Sequence, residues 1–262
     1  MKELSFYAKS LRLHLLSSIE YKGWWLMVLQ VLVVVVTDPI GTVLMFHRFG
    51  AIGIWSMERI LLIYALAVTS FGLAESLCRG FDYFPSKMIR SGNFDRLLLR
   101  PRSLFTQAAI SFFHIHRLAR PAAGTAIILW CLARQNITPS PRSVLLLVSA
   151  LLGGTLVYTG VFVFISGAAF FTVKAMDWSI IFTNASYQVT RIPFDYMPAL
   201  LKGGFTFVMP MLVISYYPAS VICGWGEPLW KGLLALPAGA AFLSVSLLVW
   251  RAGVRHYKST GS

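Results

Sequence analysis

Two clusters of basic residues carry the chemistry this chain can offer. The first lies between two long apolar runs: Arg79, Lys87, Arg90, Arg96, Arg100 and Arg102. A membrane-embedded chain that keeps a compact, charge-dense loop between two spans is expected to use it, here as a docking element for another subunit rather than for bond-making. Local signals give it a shape. Asn93 or Ser91 is placed to cap a short helix, Asp95 then falls in its first turn, and Pro101 stops it. Leu97-Leu98-Leu99 supplies an apolar side that needs a partner surface. The second cluster interrupts another apolar run with His114, His116, Arg117, Arg120 and Pro121. In a helix, His114 and His116 point to different faces, which argues against a metal pair. Arg117 and Arg120 share a face and suit a lipid phosphate or an anionic substrate group. Glu75 is placed to pair with Arg79 one turn later.

Chemistry of other kinds is missing. The chain has no phosphate-cradling G-x-x-x-x-G-K-[ST], no H-E-x-x-H and no C-x-x-C. No serine sits in a nucleophile elbow. Cys78, Cys131 and Cys223 are far apart and show neither a disulfide framework nor metal spacing. No catalytic residue, metal or cofactor is therefore expected in this chain.

The elements that position these clusters follow from composition. The chain has 262 residues, 57% of them hydrophobic and only 13% charged. Mean hydropathy is +0.69. Soluble domains have about 45–50% apolar and about 25% charged residues, so this is an all-α integral membrane protein, a single transmembrane domain over 1–262. The net charge of +13 does not point to nucleic acid, because the cations lie in loops between apolar runs. Six spans are expected, over about 24–44, 57–78, 106–131, 143–171, 199–221 and 232–250. Only about 11 residues separate Pro121 from Cys131, too few to cross roughly 30 Å, so the charges of the third span must project beyond the bilayer or face protein or water.

Residues 2–22 form an amphipathic stretch in which Leu4, Tyr7, Leu11 and Leu15 recur at three- and four-residue steps, expected to lie in the membrane interface with lipid as its partner. They lack the apolar core of a cleavable signal peptide. Small residues four apart, Ser149 with Gly153 and Ala150 with Gly154, permit close helix contact in the fourth span. Pro210 and Pro218 predict a kinked fifth span whose freed carbonyls, near Met209 and Tyr217, suit a wet path or a neighbouring helix. The turn over 222–231 is short and is a candidate for a re-entrant piece. With the N-terminus inside, roughly 18 of the 23 cations fall on the cytoplasmic side: four over 2–22, six in the loop over 79–104, Arg117 and Arg120, then Lys174, Arg191 and Lys202, and three in the tail. Both termini are then cytoplasmic.

In this order the residues resemble the ABC-2-type permease family, in its six-span branch. The matching pieces are Gly53-Ile54-Trp55-Ser56-Met57-Glu58, the run Ile89 to Pro101, Pro193-Phe194-Asp195-Tyr196-Met197-Pro198, Pro210 with Tyr216-Tyr217-Pro218-Ala219, and the tail Trp250, Gly253, Tyr257, Ser259 and Gly261. The resemblance implies a transmembrane permease subunit of an ATP-driven exporter in the bacterial plasma membrane. It would be paired with a second permease, identical or a sister chain, and two copies of a separate ATPase that binds ATP and Mg. Ile89, Arg90, Gly92, Asp95, Leu98, Leu99, Arg100 and Pro101 would form the helix that couples to that ATPase. His114, Arg117, Arg120, Pro210 and Tyr217 are candidate contacts for a transport path or lipid phosphate. The competing expectation is an integral membrane lipid-handling enzyme or scaffold with no ATPase, working through His114, Arg117 and Arg120.

Overall fold

The computed structural model describes residues 2–20, 22–112, 114–172 and 186–257, and the side chains of 2–4 and 19 are not among what it describes. The chain is all-α: among the described residues the only β-type pairing is a single bridge between Ile52 and Trp55.

Helix α4 (Met57–Cys78) is the axis of the molecule. It starts sharply because the Ser56 hydroxyl accepts a hydrogen bond from the backbone N–H of Arg59 at 3.4 Å. It is apolar on every side, and its residues from Ile60 to Gly72 are all buried. Its 22 residues rise roughly 33 Å, enough to cross a bilayer. Small residues let its neighbours approach. Gly72 lies against Pro121 and Thr69 against Gly124, both on α8 (Ala119–Arg134), while Ser70 lies against Gly154 on α9 (Pro141–Ala168). On the opposite side of α9, Gly153, Gly160 and Gly167 recur every seven residues. They meet Ala235, Phe242 and Trp250 of the last helix, α13 (Ala235–His256). A Cβ at Gly153 would land on the Ala235 carbonyl. The small-residue signal thus serves two faces: Gly154 packs on α4 and Gly153 on α13.

Among the described residues, four helical stretches are long and apolar enough to cross a membrane: Trp24–Phe49, Met57–Cys78, Pro141–Ala168 and Leu229–His256. The first joins α2 (Trp24–Thr37) and α3 (Ile40–Phe49) through Asp38-Pro39. The last joins α12 (Leu229–Leu233) to α13.

The expected third span over 106–131 is not one helix. After α5 (Gly80–Phe84) and α6 (Phe94–Leu98), α7 (Leu104–Ile110) ends, His114 is extended, a 3-10 turn covers Ile115–Leu118, and α8 follows. Pro121 is the physical reason. It has no N–H to give the Arg117 carbonyl, so it is placed in the first turn of α8, where none is needed.

The expected fifth span over 199–221 is also broken. Helices α10 (Ala199–Val208) and α11 (Leu212–Ile222) meet at a 77° bend at Met209-Pro210. Each contains a π-type turn, Gly204–Val208 and Leu212–Tyr216, which loosens the backbone ahead of its proline or break. Both limbs start and finish at the Trp55 end of α4. Trp55 Nε1 donates to Asp195 Oδ2 at 2.9 Å. The ring of Phe194 lies 6.4 Å from Trp55 and 5.4 Å from Tyr216, and the Arg59 guanidinium covers Trp225 at 4.8 Å. The two ends of the bent pair thus lie at the same end of α4, the arrangement of a re-entrant hairpin over 199–222. This also corrects the side expected for Arg191 and Asp195. The described part of the segment over 174–197 runs from Tyr187, which packs on Phe71 at 5.3 Å and lies beneath Arg120, to Arg191 and Asp195 toward the Trp55 end, where Arg191 donates to the Asp38 carbonyl. Lys174 and Asp177 lie outside the described residues.

Candidate functional site

The segment over 79–104 folds as a compact elbow at the far end of α4. It is pinned from below by aromatic rings. Phe94 is fully buried among Phe84, Phe170 and Tyr257, at centroid distances of 5.6, 5.2 and 4.7 Å. Phe81 and Phe84 each pack on Trp250 at 5.0 Å. The backbone approaches closely at Gly80, where a side chain would collide with the Ala108 carbonyl of α7. At the other end Gln107 Nε2 donates to the carbonyls of Leu97 and Arg102, at 3.3 and 3.1 Å.

Between these anchors the candidate coupling residues sort by side. Gly92 takes φ +70°, a left-handed turn that suits glycine, and it carries the chain from the π turn at Pro85–Ile89 into α6. Asn93 stands at the N-cap position but does not cap α6. Its side chain donates back to the Lys87 carbonyl at 3.3 Å and to Ser91 Oγ at 2.8 Å. Asp95 is in the first turn, as expected, and burial together with the Asp95 carboxylate raises the pKa of Tyr257. Ile89 is half-buried and packs on the core. Leu97 turns inward, whereas Leu98, Leu99, Arg100 and Pro101 are exposed, Leu99 to 84%. Lys87, Arg90 and Arg96 are exposed on the same elbow. The result is a basic, leucine-tipped surface held on a rigid base. Phe94 and Gln107, which hold it, were not singled out from the sequence; the recurring phenylalanines at 81, 84 and 94 were the available signal.

Beside the elbow, Glu75 gathers the second basic cluster. Its carboxylate lies 3.4 Å from Arg79, 3.9 Å from Arg117 and 3.5 Å from Arg120, and Arg79 also meets Asp82 at 3.1 Å. Arg120 further stacks over Phe71 at 4.9 Å. The expected Glu75–Arg79 pair is present, as part of a larger network. The charges of the third segment face protein, so Arg117 and Arg120 are committed to Glu75 rather than presented to lipid. His114 and His116 do not point apart: His114 is extended, and the rings stack at 5.4 Å. Burial, and then the Arg117 guanidinium, hold both below the usual histidine range. Among the described residues no group of three or more His, Cys, Asp or Glu is placed to hold a metal ion.

Of the candidate interfacial residues, Leu4 lies on α1 (Lys2–Glu20) with its side chain outside the described residues. Leu11 and Leu15 are half-buried. They share a face with Tyr7, whose hydroxyl donates to the Leu77 carbonyl at 2.8 Å, so this stripe turns toward the protein. Among the described side chains of α1, the exposed large apolar ones are Leu13 and Leu16 instead. Pro210 and Tyr217 both line an apolar groove of about 880 Å³ between the re-entrant hairpin, α9 and α13.

No curated protein and no solved structure matches this chain. A family profile described as ABC-2 family transporter protein does match, over residues 32–261, from the middle of α2 to the tail. That span takes in the axis helix, the elbow, the Glu75 network and the groove, and the chain belongs to the ABC-2 transporter family.

Proposed function

We propose that this chain is the permease subunit of an ATP-driven exporter, and that the elbow over 79–104 is where a separate ATPase subunit docks. The observation that carries this is the division of the elbow into buried anchors and an exposed face. Phe94 and Leu97 are locked into the core while Leu98 on the short helix, and Arg90, Leu99, Arg100 and Pro101 flanking it, are exposed. A rigid base transmits a push from a bound partner, whereas a flexible loop would absorb it. The chain has no nucleotide-binding motif of its own, so ATP and Mg belong to the ATPase, present in two copies, and a second permease, identical or a sister chain, completes the path.

In this reading the elbow and both termini face the cytoplasm of a bacterial cell, and the Trp55 end faces out. Thr172 lies at the elbow end and Phe194 at the Trp55 end, so the chain changes sides between them. The four long stretches and the shorter α8 are crossings in this reading, the hairpin over 199–222 dips in from outside, and the sixth expected crossing falls largely outside the described residues. The assignment is tested by co-purification. Leu99→Asp combined with Arg90→Glu is expected to abolish capture of the ATPase co-expressed with this chain, while thermal unfolding of the permease shifts by less than about 0.5 kcal/mol, as for surface changes generally. Undiminished capture would reject the elbow as the docking element.

A further inference from the structure

The groove that Pro210 and Tyr217 line has a second feature besides its size: a mouth of mixed charge. At that mouth Lys231 Nζ meets Glu227 Oε2 at 2.7 Å, and the ammonium lies 5.3 Å from the Tyr217 ring and 5.9 Å from the Trp230 ring. The rest of the wall is almost wholly hydrocarbon, including Phe164, Val208, Val213, Phe242 and Val245. Its rim opens sideways, with Phe207 86% and Val245 57% exposed. Along the last helical stretch the groove runs from Lys231 to Ser246, 15 residues or roughly 22 Å. One leaflet of a bilayer's hydrocarbon is about 15 Å deep, half of the roughly 30 Å core. The groove thus holds one acyl chain with length left for a head group.

We infer that this groove binds a phospholipid with a zwitterionic, amine-bearing head group, one acyl chain lying against Phe164 and Phe242 and the head at Glu227 and Lys231. The mouth decides the class. An anionic lipid offers a partner to Lys231 but sets uncompensated negative charge against Glu227. A head with both a phosphate and an ammonium satisfies both members of the pair and finds Trp230 and Tyr217 as aromatic faces for its cation. Irregular backbone at Met209-Pro210 is tolerated at membrane depth where it lines a cavity, which is where it stands here. The inference rests on the groove and its mouth alone and does not depend on ATPase docking.

Native mass spectrometry of the full chain in detergent tests it, with phosphatidylethanolamine and phosphatidylglycerol of identical acyl chains supplied in equal amounts. One phosphatidylethanolamine is expected to be retained about fivefold over phosphatidylglycerol, equivalent to ~1 kcal/mol. Glu227→Gln with Lys231→Met is expected to bring the two lipids to parity. Ala241→Trp, which fills the groove midway, is expected to remove the bound lipid. The charge pair is partly exposed, so its variant keeps the test decisive if the tryptophan variant fails to fold. Equal retention by the unaltered protein, or selectivity that survives loss of the charge pair, overturns the inference. Efficient disulfide formation between two copies carrying Val245→Cys would also overturn it, by making the groove a contact between chains.

Discussion

At the scale of single residues, the Glu75 network shows how a membrane protein manages charge at the end of a helix. Three guanidiniums converge on one carboxylate, with Asp82 supporting Arg79. Deleting the acid leaves buried cations short of a partner, and losses of this type run to about 3–5 kcal/mol. Glu75→Gln is expected to lower thermal stability by an amount in that range, and adding Arg120→Leu to recover part of it. A purely additive double variant would show that Glu75 and Arg120 do not act together. The stacked pair His114 and His116 gives a pH dependence. Both are held below the usual histidine value, so the folded protein binds their protons less readily than the unfolded chain does. Their neutral forms are compatible with full stability above pH of about 6.5, and stability is lost as pH falls below that. Melting temperatures measured from pH 8 to pH 5 are expected to fall less steeply for His114→Gln with His116→Gln than for the unaltered chain.

At the scale of elements, the elbow and the α9–α13 seam make different demands. The elbow needs its base: Phe94→Ala removes a fully buried ring, a change that costs about 3–5 kcal/mol in well-packed cores. It is expected to open the segment over 85–102 to limited proteolysis while the helices of the membrane region stay intact. Leu99→Ala at the exposed tip is expected to leave the digestion pattern unchanged. The seam needs its glycines: Gly153→Val drives a branched side chain into the backbone of Ala235. The expected result is loss of cooperative unfolding or of monodisperse protein, read by size-exclusion chromatography. Gly203→Ala, where a Cβ meets nothing within 4 Å, is the control.

At the scale of the whole molecule, the re-entrant hairpin decides the topology. It places Asp195 beside Trp55, at the end of α4 opposite the elbow. Single cysteines introduced as Asp195→Cys and Arg96→Cys, on a background with the three native cysteines replaced, are expected to react with membrane-impermeant maleimide from opposite faces of sealed vesicles. Labelling of both from the same face would refute this arrangement. The positive-inside count had put Arg191 and Lys202 with the elbow, and the proposed orientation does not depend on them because the elbow itself carries six cations.

Much of this was legible in the residues taken in order. An apolar composition, the long runs at Met57–Cys78 and Pro141–Ala168, and the distribution of arginines are local properties, and local properties decide which segments enter a bilayer and which loops stay in water. The Glu75–Arg79 pair was legible for the same reason, since helical spacing brings i and i+4 together. The partners of Arg117, the anchoring of Phe94 and the return of the chain at Met209-Pro210 were not. Each depends on which distant segment packs alongside: α4 beside α8, α13 beneath the elbow, Phe194 against Trp55. An apolar run with a proline reads the same whether it crosses the membrane or turns back within it, and only the contacts at its two ends separate the cases.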